Sequence, residues 1–183
     1  MVDTDSIIRK YYQDNEEAYA ILVKHSKQVR DYALKILDTH PELGSLNREF
    51  ISEAAMLHDV GIFMCDAPGI HCYGTHQYIE HGYLGAELMR KEGLPKHALV
   101  CERHTGTGIS LEAIIKNNYP LPHRNMEPVS SEEKLICYAD KFFSKSKPDI
   151  MFTSERIREK LKKFGEKEVA KFDEMHEMFK INI

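Results

Sequence analysis

Ala54-Ala55-Met56-Leu57-His58-Asp59-Val60-Gly61 closes an apolar helical run on a histidine and an aspartate side by side. Neighbours on a helix point about 100° apart, so in mid-helix the two would not share a target. At a helix end both can turn toward one point. A buried aspartate needs a counter-charge, so that point suits a cation. Gly61 is expected to let the chain leave the helix through a backbone conformation that other residues avoid.

Outward from this pair, four more residues of the same chemistry sit on or beside apolar-periodic segments: His25, His81, His104 and Asp140. His25 lies on the stripe Ala18, Ile21, Leu22, Val29, Ala33, Ile36 and Leu37, an amphipathic helix over about 16–37. Asn47 can cap a helix from Arg48 into His58. Residues 77–91 form another helix, with His81 among Ile79, Leu84, Ala86, Leu88 and Met89. Gly93 and Pro95 end it and open the next, which runs to His104. Ser110 can cap a short helix through Ile115, and Ser130 with Glu133 fits a capping box for the helix holding Asp140. A short helix over 5–13 serves as a cover. The end of the chain, from Ser154 to Phe179, is charged helix with a break at Gly165. Its packing face is Ile157, Leu161, Phe164, Phe172, Met175 and Phe179. No segment reads as a strand and no repeat is found, so the expected class is all-α.

The 183 residues suffice for one domain with a sizeable core. We expect a single domain over 1–183, with its core at about 20–146 and a C-terminal helical extension at about 154–183. The net charge of −4 gives no basic excess to attract nucleic acid. No apolar run approaches a membrane span, and the start Met1-Val2-Asp3-Thr4-Asp5 lacks a signal-peptide pattern, so a cytoplasmic location is expected. Cys65, Cys72, Cys101 and Cys137 form no C-x-x-C pair and read as free thiols; Cys101 and Cys137 stand three residues before His104 and Asp140 and can line the same site.

Two loops stand out. Thr105-Gly106-Thr107-Gly108 is too short and wrongly placed for a P-loop and reads as a helix stop. The stretch 62–76 is long, carries His71, Tyr73 and His76, and is expected to lie over or beside the site as a lid, with His76 the foremost contact.

With the helices antiparallel, His25, His58, Asp59, His81, His104 and Asp140 can converge. Four imidazoles and two carboxylates suit a borderline divalent ion such as zinc, iron, manganese or nickel. Six ligands exceed what one open tetrahedral site needs; they suit two ions sharing a bridging carboxylate. Two ions about 3.5–4 Å apart lower the pKa of a bound water toward about 7 and neutralise phosphate oxygens, which is phosphoester-hydrolysing chemistry.

The order His…His-Asp…His…His…Asp resembles the HD-domain metal-dependent phosphohydrolases, in the subset that holds two metals. The resemblance spans about residues 20–146. Local context agrees in HSKQVRDYAL from His25, AAMLHDVG through His58, EHGYLGAELM through His81, ERHTGTGIS through His104 and EEKLICYADKFFS through Asp140. It implies an all-α HD-domain bundle of about six to eight helices. It also implies that His25, His58, Asp59 and Asp140 bind one metal, and that Asp59, His81 and His104 bind the other. Many relatives follow the His-Asp pair with Gly-Lys or Ala-Lys, whose lysine helps with phosphate; here Ile62 stands at that place. Phosphate contact then falls to Arg103, Lys141 or Lys145, each next to or one turn from a ligand.

The implied function is a hydrolase acting through a metal-bound hydroxide on a phosphoester or phosphoanhydride, with a nucleotide as the expected substrate. Asp59, Arg103 and Lys141 are the expected catalytic residues; His71, His76 and Lys145 are expected to meet substrate. The chain looks most like small stand-alone HD proteins, which include symmetrical dinucleoside-tetraphosphate hydrolases. The GYP signature of cyclic-dinucleotide phosphodiesterases is missing after the His-Asp pair. Two alternatives share the ligand order: a di-iron HD-fold oxygenase, and a metal-stabilised signalling or binding module without turnover.

Overall fold

Asn15 and Asn47 begin the two helices on which the rest is laid. Asn15 accepts a hydrogen bond from the Ala18 N–H and opens α2 (Glu16–Thr39); Asn47 accepts from the Phe50 N–H and opens α3 (Arg48–Leu57). Each satisfies an N–H group that a helix start otherwise leaves unpaired. The computed structural model describes residues 1–181. Before α2 lies α1 (Thr4–Tyr12); after α3 come α4 (His81–Lys91), α5 (Pro95–Arg103), α6 (Leu111–Asn117), α7 (Ser131–Asp140), α8 (Ser154–Leu161) and α9 (Glu166–Phe179). These nine helices among the described residues confirm an all-α fold. They exceed the six to eight expected because α8 and α9, read as one interrupted helix, are separate elements on either side of Gly165 at φ 120°.

Three local expectations are corrected. A hairpin of two two-residue strands, β1 (Asp66–Ala67) with β2 (Cys72–Tyr73), stands where no strand was expected. It is too short to show an alternating pattern. Ser130 caps α7 by accepting from the Glu133 N–H, but Glu133 does not close the box; its carboxylate accepts from the Val129 N–H and binds Arg103. Gly61 does not take the left-handed conformation. A Cβ there would lie 2.4 Å from the His81 carbonyl oxygen and 2.5 Å from the Gly85 nitrogen, so Gly61 is glycine because α4 crosses directly against it.

The core has two main clusters. One joins Val29, Ala33 and Ile36 of α2 to Ile51 and Ala54 of α3, to α7, and to Phe172 and Phe179 of α9. The other joins Leu22 of α2 and Leu57 to α1, α4 and α5. His25 lies between Leu22 and Val29, His58 follows Leu57, and His104 follows Val100 and Cys101, which belong to different clusters. The polar residues therefore occupy the seam between two apolar bodies. Tyr138 of α7 stacks on Phe172, with ring centroids 5.6 Å apart, so α9 is packed into the first cluster. Phe164 departs from the expected packing face and is 73% exposed.

Among the described residues no helix is long and apolar enough to cross a membrane. All four cysteines are free and buried.

Candidate metal centre

α3 ends at Leu57, and the next two residues fold so that both side chains face inward, as a helix end allows. Nε2 of His58 lies 3.1 Å from Oδ2 of Asp59, and both side chains are fully buried. His25 from mid-α2 places Nε2 2.9 Å from Oδ1 of Asp140 and 3.2 Å from Oδ2 of Asp59. From the other side, His81 at the start of α4 and His104 at the end of α5 place Nε2 3.2 and 3.1 Å from Oδ1 of Asp59. Asp59 thus turns one oxygen to each of two groups: His25, His58, Asp59 and Asp140, and Asp59, His81 and His104. Within each group the ligand atoms lie within 4.8 Å of one another.

The ring orientations come from the backbone. Nδ1 of His58, His81 and His104 lies 2.7, 2.6 and 2.7 Å from the carbonyl oxygens of Ala55, Tyr78 and Cys101. A carbonyl cannot donate, so each Nδ1 carries the proton, and in the neutral ring Nε2 is a lone pair. All three Nε2 atoms face Asp59, to which a neutral ring offers only a lone pair. His81 and His104 also face each other, with 3.1 Å between their Nε2 atoms. Nε2 of His58 makes no hydrogen bond although it is buried. Acceptor set against acceptor in a dry site is unfavourable without positive charge among them. Edges of 2.9–3.4 Å between ligand atoms match those around an ion with bonds of about 2.0–2.1 Å. The donor set therefore fits divalent metal, with carbonyl-anchored imidazoles of the kind that orient metal ligands.

The electrostatics agree. Burial alone would raise Asp59 and Asp140, yet Lys145 and His58 beside the first, and Lys141, His25 and His58 beside the second, hold both carboxyls well below the usual range. Burial works to lower His58, but Asp59 and Asp140 lift it to about 9, whereas burial carries His104 down to about 4. The seam thus draws in positive charge while keeping a neutral imidazole.

Each residue singled out from the sequence has a definite place. Lys145 binds Oδ2 of Asp59, and Lys141 binds Oδ2 of Asp140 at 2.7 Å and the His104 carbonyl at 3.2 Å. Burial opposes their charge, but the carboxylates raise both lysines, so both are cations. Arg103, expected as a phosphate contact, has its guanidinium held by the buried carboxylate of Glu133 at 2.9 Å. His76 pairs with Glu80 at 3.0 Å, and His71 sits at φ 58° with Tyr73 OH 3.5 Å from its Nδ1. Cys101 and Cys137 donate to the carbonyls of Leu57 and His104 from behind the site.

A cavity of about 500 Å³ opens beside Asp140, lined by Lys141, Lys145 and Lys160 and by Tyr78, Phe143 and Phe152. The 62–76 stretch reaches its wall through Ala67, Gly69 and Ile70, whereas His71 and His76 are not among the lining residues. Tyr78 was missed. Its ring stacks on His81 at 4.6 Å while its carbonyl orients that histidine. The available signal was a tyrosine three residues before a candidate ligand. Lys160 was missed because it comes from the C-terminal helices, outside the region that carries the motif.

Residues 22–144 match the HD domain family. The chain is 32% identical over 154 residues to an uncharacterised protein of Methanocaldococcus jannaschii, covering 82% of this chain and 78% of that one. It is 28% identical over 131 residues to a tRNA (cytidine(56)-2'-O)-methyltransferase of Picrophilus torridus; the match covers 71% of this chain and only 33% of that protein. Among solved structures it resembles the L. monocytogenes phosphodiesterase PgpH HD domain, with a TM-score of 0.55, 16% identity, and coverage of 97% of this chain and 89% of that one. The same domain in complex with cyclic-di-AMP gives 0.52 at 14% identity, covering 97% and 99%. At these identities the likeness concerns the fold.

Proposed function

The chain belongs to the HD-domain family, and from that premise we propose that it is a phosphohydrolase that holds two divalent transition-metal ions and cleaves a phosphoester or phosphoanhydride of a small nucleotide. The observation that carries the reading is Asp59, whose two oxygens face two separate ligand groups. His25, His58, Asp59 and Asp140 hold one ion; Asp59, His81 and His104 hold the other. Such a pair supplies an activated water for attack on phosphorus and positive charge beside the phosphoryl oxygens.

The chain's own residues do the rest. The three carbonyl-anchored histidines keep their lone pairs aimed without rearrangement, so little reorganisation is needed during reaction. Lys141 and Lys145 stand between the carboxylates and the cavity and turn their ammonium groups to phosphate when it enters. They take the part played in many relatives by the lysine that Ile62 replaces. Lys160 adds a third cation to the lining. Tyr78, Phe143 and Phe152 give that cavity apolar surface against which the sugar next to the phosphate can lie. The cyclic-di-AMP bound by the PgpH HD domain supports a nucleotide as the substrate class.

The test is turnover of nucleotides and simple phosphoesters by metal-loaded protein in ¹⁸O-water without O₂. Label in the released phosphoryl product is the expected result. Turnover that stops in the absence of O₂ would overturn the proposal.

A further inference from the structure

A second cavity, of about 410 Å³, lies next to the first and shares two of its walls, Tyr78 and Leu161. Its chemistry differs. The first cavity is lined by three lysines against one carboxylate, Asp140; the second holds one lysine, Lys163, against one carboxylate, Glu168. That carboxylate is already committed to the Thr107 hydroxyl and to Lys171. The aromatic rings of Tyr78, Tyr119 and Phe164 face this space, with Thr105 and Asn117 interspersed. An acyl chain would call for uniformly apolar walls; rings broken by polar groups suit a flat heteroaromatic ligand.

The edge of this cavity is firm. Gly108 donates to the Thr105 carbonyl at 2.9 Å, and Ile109 and Met126 exchange backbone hydrogen bonds at 2.9 and 2.8 Å. Gly106, at φ 61°, has nothing within 4 Å of where a Cβ would stand, so the turn leaves space beside its backbone. Four of its lining residues, Leu161, Lys163, Phe164 and Glu168, lie beyond residue 144, where the family match ends. Phe164 is 73% exposed and packs into neither main cluster, so the core does not account for its place at this cavity.

We infer that the second cavity receives the nucleobase of the substrate while the phosphate lies among the lysines of the first, so that the C-terminal helices set substrate choice; this rests on the hydrolase reading above. Aromatic stacking of a base contributes roughly tenfold in affinity per ring.

The test uses the full chain and nucleosides that carry no phosphate: adenosine, guanosine, cytidine and uridine, titrated while amide NMR shifts are followed. At least one should give saturable shifts at Gly106, Gly108, Lys163 and Phe164. Phe164→Ala should weaken that binding about tenfold. Because Phe164 is mostly exposed, this variant keeps its fold. Ala113→Trp, filling the cavity, should abolish binding. No saturable shift from any nucleoside, or shifts confined to other surfaces, would overturn the inference. The outcome does not depend on turnover. Nucleoside binding without hydrolysis would defeat the hydrolase reading alone. Equal kcat/KM for nucleotides and base-free sugar phosphates would defeat the base site alone.

Discussion

Nε2 of His81 stands 3.1 Å from Nε2 of His104, while each ring gives its Nδ1 proton to a backbone carbonyl. Two lone pairs at that distance in a buried site oppose each other unless a proton or a metal ion lies between them. The protein stripped of metal should therefore be measurably less stable than the loaded protein. At a free metal concentration of 100 times Kd the gain is about 2.7 kcal/mol, read as a rise in unfolding temperature on adding metal after chelation. An unchanged transition would show that these lone pairs are satisfied without a metal.

The sharing of Asp59 predicts unequal losses. Asp59→Ala should lose both ions, because its two oxygens face two ligand groups. His104→Ala should mainly empty the site made with His81. Elemental analysis of each variant gives the count. Equal losses from the two variants would remove the case for a shared carboxylate.

Lys145 and Asp59 form a buried ion pair, with the lysine side chain 12% exposed and the aspartate fully covered. Removing one partner of such a pair leaves an uncompensated charge and costs about 3 kcal/mol. Lys145→Met should cost that much in metal-free protein. With metal present Asp59 has other positive charge, and the loss should shrink to less than about 1 kcal/mol. Denaturant unfolding with and without metal separates the cases. The same loss in both states would mean that Lys145 acts through packing.

Much of this centre was legible from the sequence, for a physical reason. An ionisable residue on an apolar stripe must find a partner, and His25 and Asp140 each sit on such a stripe. The pairing of His58 with Asp59 at a helix end was legible from the apolar run that stops there. What escaped depended on contacts distant in sequence. Nothing near Arg103 announces Glu133, 30 residues away, which holds its guanidinium. Phe164 fits the spacing of a packing face, but Gly165, at φ 120°, breaks the helix before that face continues. The hairpin at 66–73 is held from outside: Asn15 donates to the His71 carbonyl at 2.8 Å, a tether that no local pattern records.

His97 gives a pH dependence of known sign. Burial lowers its pKa below the usual 6.5, against the pull of Glu53, which lies 3.2 Å away. A histidine whose folded pKa is depressed contributes stability above its unfolded pKa, and that contribution is lost as pH falls through 6.5 toward the folded value. The stability difference between the wild type and His97→Leu should therefore narrow as pH drops from 7.5 to about 5. Parallel curves from urea unfolding at several pH values would show that His97 does not titrate differently in the two states.

The last prediction concerns how α4 is seated. A Cβ on Gly61 would stand 2.4 Å from the His81 carbonyl oxygen and 2.9 Å from the Gly85 Cα. Those are backbone atoms, so the strain cannot be relieved by turning a side chain. Gly61→Ala must push α4 away from the turn that follows Asp59, and α4 begins with His81. We expect a loss of about 3 kcal/mol from overpacking, together with weakened metal binding at the half of the centre that uses His81. Gly93→Ala is the comparison. Gly93 has φ 74° and nothing within 4 Å of where its Cβ would lie, so that variant bears only backbone strain. It should cost about 1 kcal/mol and leave metal content unchanged. If Gly61→Ala keeps full metal content, or costs no more than Gly93→Ala, the close approach of the two backbones does not position His81.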